Sequence, residues 1–268
     1  MKLVITDLDG TLLDHSTYSF AEARTALELL KRRSVPLILC TSKTHREVEF
    51  WRGLLDNRHP FIVENGGAVF IPRDYFRFPI PSSVRRSGYD ALELGDPYPD
   101  LVMVLREAAK ESNCRIRGFH EMTAQAVSEE CQMNLDQATL AKQREYDEPF
   151  RILDTDRTSQ LLAAVEARGK RWTSGGRFYH ITGNNDKAKA VRLLVSLYRG
   201  TDEAVLTIGL GDGLNDAPFL NAVDVPILIR SPRIEQLQGV VPRETPTRHP
   251  GPKGWNEAIL RMLPPGAT

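Results

Sequence analysis

Short runs of apolar, often β-branched residues recur along the chain, and each closes on small or polar residues. They are Leu3-Val4-Ile5-Thr6, Val35-Pro36-Leu37-Ile38-Leu39-Cys40, Phe61-Ile62-Val63, Val205-Leu206-Thr207-Ile208 and Val225-Pro226-Ile227-Leu228-Ile229. Continuous runs of this kind fit strands buried on both faces, as in a parallel sheet covered by helices on either side. Helical patterns separate several of them. Phe20 to Lys31 places Ala23, Ala26, Leu27 and Leu30 on one face, and Thr44 to Leu55 repeats the habit. After Asp186, the residues Ala188, Val191, Leu194, Val195 and Tyr198 keep a spacing of three to four. Strand and helix in alternation predict an open, doubly wound, Rossmann-like α/β sheet.

The middle of the chain has a different texture. From about Pro79 to Asn184 it is turn-rich and charged, with helices predicted at Tyr98–Ser112 and Leu135–Tyr146. Parallel-sheet strands lie before and after it, so it reads as a second α/β domain inserted into the first. The expected division is 1–80 with 186–268 for the core and 81–185 for the insertion. Ser231 to Pro252 reads as a long surface connection, and Trp255 to Leu263 as a final helix packed back on the core.

Composition narrows the partners. The chain has 268 residues, 41% hydrophobic and 26% charged, with Lys+Arg and Asp+Glu at 35 each. A balanced charge creates no field favouring nucleic acid or an anionic membrane. No apolar run approaches the ~20 residues that span a bilayer. The opening Met1-Lys2-Leu3-Val4-Ile5-Thr6-Asp7 turns acidic too soon for a signal peptide. Cys40, Cys114 and Cys131 have no metal-ligand spacing and ask for no disulfides, so the expected setting is the reducing cytoplasm. Nothing in the sequence sets a subunit number.

The strand ends carry the chemistry. The first ends in Asp7-Leu8-Asp9-Gly10-Thr11, the second in Thr41-Ser42-Lys43 and the third in Glu64-Asn65-Gly66-Gly67. The fourth ends in Gly209-Leu210-Gly211-Asp212-Gly213-Leu214-Asn215-Asp216. Open α/β sheets bind ligands outside the carboxyl ends of their strands, so these residues are expected to meet at one crevice. Clustered carboxylates repel one another unless a cation neutralises them, and oxygen ligands without His or Cys suit Mg²⁺. Taken alone, Asp9-Gly10 is a common turn signal and Gly211-Asp212-Gly213 an ordinary loop. Leu214 stands where a dinucleotide fingerprint needs its third glycine. Leu12 and Tyr18 occupy the required glycine and glutamate positions of a calcium loop starting at Asp7. Both of those motifs are therefore excluded.

Taken together, these loops resemble the haloacid dehalogenase-like phosphatases. The first family motif, Asp-x-Asp-Gly-Thr after a leading strand, matches Asp7 to Thr11. Thr41 matches the hydroxyl that ends the next core strand, and Lys187 the lysine near a helix start. Gly211 to Asp216 match Gly-Asp-Gly-x-Asn-Asp in full. Lys189 competes for the lysine role; Asn184, Asn185 and Asp186 are cap candidates that put Lys187 in the first helical turn, and the resemblance favours Lys187 mainly because the family places its lysine directly after such an aspartate. The resemblance implies that Asp7 forms a phospho-aspartate and that Asp9 transfers the proton to and from the leaving group and water. It also implies that Thr41 and Lys187 hold the phosphoryl oxygens. Mg²⁺ would be bound by Asp7, Asp9 (through its carbonyl), Asp212 and Asp216, with Asn215 at or beside that shell. The insertion occupies the place of the larger, C2B-type cap, which closes over the core site.

Within the capped class the chain resembles the mannosyl-3-phosphoglycerate phosphatases. The residues carrying this are Thr41-Ser42-Lys43-Thr44, Glu64 to Gly67, Ala141 to Phe150, and Gly175-Gly176-Arg177-Phe178-Tyr179-His180. The resemblance implies a small-molecule glycosyl phosphate substrate bearing a phosphate, a carboxylate and a hexose. Ser42, Lys43, Asn65, Gly66 and Asn215 would contact it from the core. Arg177 is the expected bidentate partner of the carboxylate. Arg144, in a predicted helix beside Glu145 and Glu148, reads either as a second contact or as a surface ion pair. His180 reads as a sugar contact or a structural histidine, and His120 with Met122-Thr123 as a loop near the sugar. Glucosyl-3-phosphoglycerate and other sugar phosphates remain alternative substrates. A phosphomutase would keep these motifs, whereas a binding-only regulator usually loses one of the aspartates.

Overall fold

The computed structural model describes residues 1–175, 177–202, 204–232, 234–237, 239–241 and 246–264. Twelve strands make two sheets. In chain order they are β1 Lys2–Thr6, β2 Leu37–Cys40, β3 Phe61–Val63, β4 Ala68–Pro72, β5 Val84–Arg86, β6 Tyr89–Glu93, β7 Ile116–Gly118, β8 Asp147–Ile152, β9 Arg171–Gly175, β10 Phe178–Thr182, β11 Leu206–Gly211 and β12 Val225–Leu228. The large sheet runs β12-β11-β1-β2-β3-β4-β6-β5. Its first five strands are parallel, as the unbroken apolar runs predict, and β4, β6 and β5 extend it antiparallel. Two apolar clusters pack on its opposite faces, one around Val4, Leu39 and Trp255, the other around Leu3, Ile5, Val191 and Leu194. That alternation of Leu3, Val4 and Ile5 is what a strand covered on both sides requires.

The second sheet, β7-β8-β10-β9, is antiparallel throughout. Its own core joins Leu101 and Leu105 of the helix Tyr98–Glu111 to Phe150, Ile181, Leu161 and Val165. The expected boundary at residue 81 falls too early, because β5 and β6 belong to the large sheet. The chain leaves that sheet only after Glu93. The charged edge strand Val84-Arg85-Arg86 has no apolar alternation, so the sequence pattern hides it.

Two local devices fix the chain beside the crevice. Thr44 and Glu47 form a reciprocal capping box that starts the helix His45–Leu55 directly after Ser42-Lys43. Replacing Thr44 by Ala should lower stability by about 1 kcal/mol in urea unfolding, with the helix end loosened beside Lys43. Trp255, on the final helix Gly251–Met262, is fully buried and its Nε1 donates to Thr6 Oγ1 at 3.0 Å. Thr6 Oγ1 in turn donates to the Asp7 carbonyl at 2.8 Å, so this helix braces the end of β1. The stretch from Ser231 to Pro252 is more than a surface connection: Leu237 and Val241 are buried against the sheet, although residues 233, 238 and 242–245 lie outside the described set. Among the described residues, no helix is long and apolar enough to cross a membrane.

Candidate active site

The carboxyl ends of the parallel strands open on a cavity of about 620 Å³. Asp7, Asp9, Ser42, Lys43, Asp212, Asn215 and Arg230 line it from the large sheet. Phe119, Met133, Arg144, Arg177, Phe178 and His180 line it from the second module. The two parts touch closely: a side chain at Gly175 would lie 3.2 Å from Asn215 Oδ1.

Lys187 is the organising cation. It is almost fully buried, and its Nζ donates to Asp7 Oδ1 at 2.7 Å and to Asp216 Oδ1 at 2.6 Å. Lys189 instead stays exposed and bonds the Asn184 carbonyl. The difference is set by Asp186, whose carboxylate caps the helix by accepting from the Lys189 amide and aims Lys187 inward. Gly66 permits this packing. It sits at φ +85°, and a Cβ there would fall well inside contact distance of the Asp186 carbonyl oxygen. Gly66→Ala should therefore destabilise the protein by about 3 kcal/mol or more in urea unfolding and displace Lys187.

Asp7, Asp212 and Asp216 each place a carboxylate oxygen within 4.8 Å of the others. Burial, then the charge of Asp216, pushes the Asp7 carboxyl well above its usual range, against the pull of Lys187. The same two causes push Asp212 up to about 7. Asp216 is held by the amides of Asp212 and Gly213, at 3.1 and 3.0 Å, and Asp212 accepts from Thr11 Oγ1 at 2.9 Å. Gly10 admits that arrangement, since a Cβ there would lie 2.6 Å from Asp212 Oδ2. One lysine does not balance three carboxylates, and the excess negative charge on oxygen-only donors is what a hard divalent cation such as Mg²⁺ relieves.

Other expected residues take different places. The Asp9 side chain is not in the carboxylate cluster: Oδ2 pairs with Lys43 Nζ at 2.8 Å, while its buried Oδ1 has no hydrogen-bond partner. Lys43 is thus committed to Asp9 and, at 3.6 Å, to Glu47, with the Tyr18 ring beside it. Thr41 is buried, and its Oγ1 accepts the Lys43 amide. Asn65 and Gly66 are also buried and shape the wall from behind; neither lines the cavity. Ser42 and Asn215 do line it.

Arg144 is no surface residue. The predicted helix ends at Ala141, so Arg144 lies beyond it, with its side chain 5% exposed. Its guanidinium donates to the Ser42 carbonyl at 2.7 Å and to Asp147 Oδ1 at 3.0 Å, tying the second module to the core. Glu64 accepts the backbone amides of Glu145 and Tyr146 in the same joint, and burial pushes its carboxyl up to about 8. Arg177 does line the cavity but is exposed, donating to the Glu130 carbonyl and to Gln132 Oε1. His120 turns to Glu148 instead of the cavity, with its Nδ1 2.6 Å from Oε1.

Sequence reasoning missed Arg230 and Asp147. Arg230 follows β12 at its carboxyl end, so the rule that located the other strand ends applies to it; its Nε bonds the Thr247 carbonyl. Asp147 opens β8 and is fully buried. No sequence signal distinguishes it from its charged neighbours.

A buried aspartate on the leading strand, a lysine bridging it to a second acidic loop, and a cavity at the strand ends are the parts that a hydrolase of phosphate monoesters uses. The chain belongs to the haloacid dehalogenase-like hydrolases, whose family profile matches residues 4–232. It is 43% identical over 265 residues to a glucosyl-3-phosphoglycerate/mannosyl-3-phosphoglycerate phosphatase of Methanococcoides burtonii, with 97% of each chain covered. It is 35% identical to a mannosyl-3-phosphoglycerate phosphatase of Pyrococcus furiosus, covering 90% of this chain and 96% of that one. In fold it is similar to a sugar phosphatase of the haloacid dehalogenase subclass IIB, at a TM-score of 0.68 and 13% identity, covering 98% and 99% of the two chains. A Thermoplasma acidophilum protein matches at a TM-score of 0.67 and 18% identity, covering 98% of each chain.

Proposed function

We propose that this phosphatase hydrolyses glycosyl-3-phosphoglycerates, mannosyl-3-phosphoglycerate foremost, through a phospho-aspartate on Asp7 with Mg²⁺ bound. The observation that carries this is the placement of Asp7, at the cavity end of β1 and hydrogen-bonded by Lys187, in a chain whose curated relatives bear those substrate names. An Asp7 oxygen attacks phosphorus as the bond to the leaving oxygen breaks. Asp9 gives its proton to that oxygen, then takes one from the water that cleaves the aspartyl phosphate. Lys187 and Thr41 steady the phosphoryl oxygens. Asp7, Asp212 and Asp216, with the Asp9 carbonyl, would hold Mg²⁺, which when bound offsets the charge of phosphate and carboxylates alike. Lys43, paired with Asp9, keeps that carboxyl oriented.

The module from Asp96 to Gly183 acts in this reading as the cap, supplying leaving-group contacts and excluding water. Arg177 would receive the glycerate carboxylate. Because it is exposed, its pair is screened, and the expected contribution is about tenfold in affinity rather than the larger effect of a fully desolvated pair. Glucosyl-3-phosphoglycerate is the second substrate reading, favoured by the double name of the Methanococcoides relative.

The test is phosphate release with Mg²⁺ across mannosyl-3-phosphoglycerate, glucosyl-3-phosphoglycerate, mannose 6-phosphate, sucrose 6-phosphate and trehalose 6-phosphate. The glycerate esters should be preferred by orders of magnitude, and Arg177→Ala should raise KM for them about tenfold while leaving KM for mannose 6-phosphate near its wild-type value. Equal rates on the carboxylate-free sugar phosphates would move the chain to a general sugar phosphatase.

A further inference from the structure

His180 faces the same cavity in a way that a purely structural histidine has no need to. Its ring is more than nine-tenths buried and lines the cavity from β10. Its Nδ1 lies 2.9 and 3.1 Å from the two oxygens of Asp147. Among the described residues the ring makes no other hydrogen bond. Asp147 is itself fixed on three sides. Arg144 donates to Oδ1 at 3.0 Å, Asn65 Nδ2 donates to Oδ2 at 2.6 Å, and the imidazole supplies the third contact.

This arrangement orients the ring. Burial alone would raise the Asp147 carboxyl, but His180 and then Arg144 hold it below its ordinary range, so it is an ionised acceptor. Both of its oxygens face Nδ1, which must therefore carry a proton. That leaves Nε2 as the ring nitrogen able to meet a ligand at the cavity wall. A polar ring nitrogen at a cavity wall is matched by a hydroxyl, which can donate or accept, and left unsatisfied by an apolar group.

We propose that His180 is a specificity-determining residue whose Nε2 hydrogen-bonds a hydroxyl of the leaving group, and that Asp147 is its positioning residue. The ligand class is a polyhydroxylated leaving group, and the proposal rests on the reading above that the substrate is a glycosyl ester. Arg144 and Asn65, which hold Asp147, reach it from the cap entry and from the loop after β3. The ring is thus aligned only when the second module sits against the core as it does here.

The test compares kcat/KM for mannosyl-3-phosphoglycerate with that for p-nitrophenyl phosphate, whose leaving group has no further hydroxyl. In His180→Phe, which keeps a ring of similar size, this ratio should fall at least tenfold, mostly through KM for the glycosyl ester. Asp147→Asn should lower the ratio in the same direction. Because that substitution touches a buried ion pair, nitrogen-15 NMR of the wild-type protein supplies a separate reading: the His180 ring should be protonated at Nδ1. An unchanged ratio in His180→Phe, or a wild-type ring protonated at Nε2 alone, would overturn the assignment. A wild-type enzyme that does not prefer glycosyl esters over p-nitrophenyl phosphate would instead refute the functional reading on which it rests.

Discussion

Asp7→Asn should lose at least about 10³-fold in turnover while folding as well as the wild type or better. An amide does not attack phosphorus, so no aspartyl phosphate forms. The amide oxygen still accepts from Lys187, so the buried lysine keeps both of its partners. The stability expectation has a definite sign. Burial and Asp216 push the Asp7 carboxyl up, which means that its charged form is disfavoured in the folded protein. Removing that charge relieves the repulsion, and in metal-free buffer the Asn variant should melt at an equal or higher temperature by calorimetry. Beryllofluoride should be retained by the wild type and not by the variant. Appreciable steady-state phosphate release by the purified variant would remove Asp7 from the nucleophile role.

Metal removal should have an effect of similar size. Chelation should abolish activity and added Mg²⁺ restore it, because Lys187 alone leaves the cluster of Asp7, Asp212 and Asp216 with excess negative charge. Asp212→Ala should raise the Mg²⁺ concentration needed for half-maximal activity by at least about tenfold. Activity is not the only readout. A cation that binds the folded cluster and not the unfolded chain raises the melting temperature, so Mg²⁺ should stabilise the wild type and do so much less in Asp212→Ala. Full activity after exhaustive chelation, or equal thermal shifts in the two proteins, would contradict the metal assignment.

The core half of the fold was legible because its strands advertise themselves. Leu3 to Ile5 and Leu37 to Cys40 are apolar without alternation, and each hands its last polar residue to the crevice. Lys187 was separable from Lys189 mainly because the family resemblance places the lysine directly after an aspartate such as Asp186, the residue that caps the helix. The second module was much less readable. Arg144, Asp147 and His180 are close in space only because β8 pairs with β10 and the helix stops at Ala141, and neither fact has a local signature. A charged residue in a charged stretch looks solvated until its partners arrive from elsewhere. Arg144 finds Ser42 at a sequence separation of 102, and Asn65 finds Asp147 at one of 82. The early boundary expected at residue 81 failed for a related reason: β5 and β6 form an edge, where half-exposed, charged strands carry little of the pattern that marks a buried one.

The pairing of β1 with β11, Lys2 beside Leu206 and Thr6 beside Leu210, has a consequence for the birth of the molecule. On the ribosome, one flank of the strand that carries the nucleophile stays unpaired until some two hundred further residues have emerged. Meanwhile the module from Asp96 to Gly183, contiguous in sequence and with its own apolar centre, is free to fold first. The bracing Trp255 arrives later still. The second module is therefore complete before the core that it packs against, and chains truncated before residue 206 and released should contain a protease-resistant 96–183 segment and no trappable aspartate.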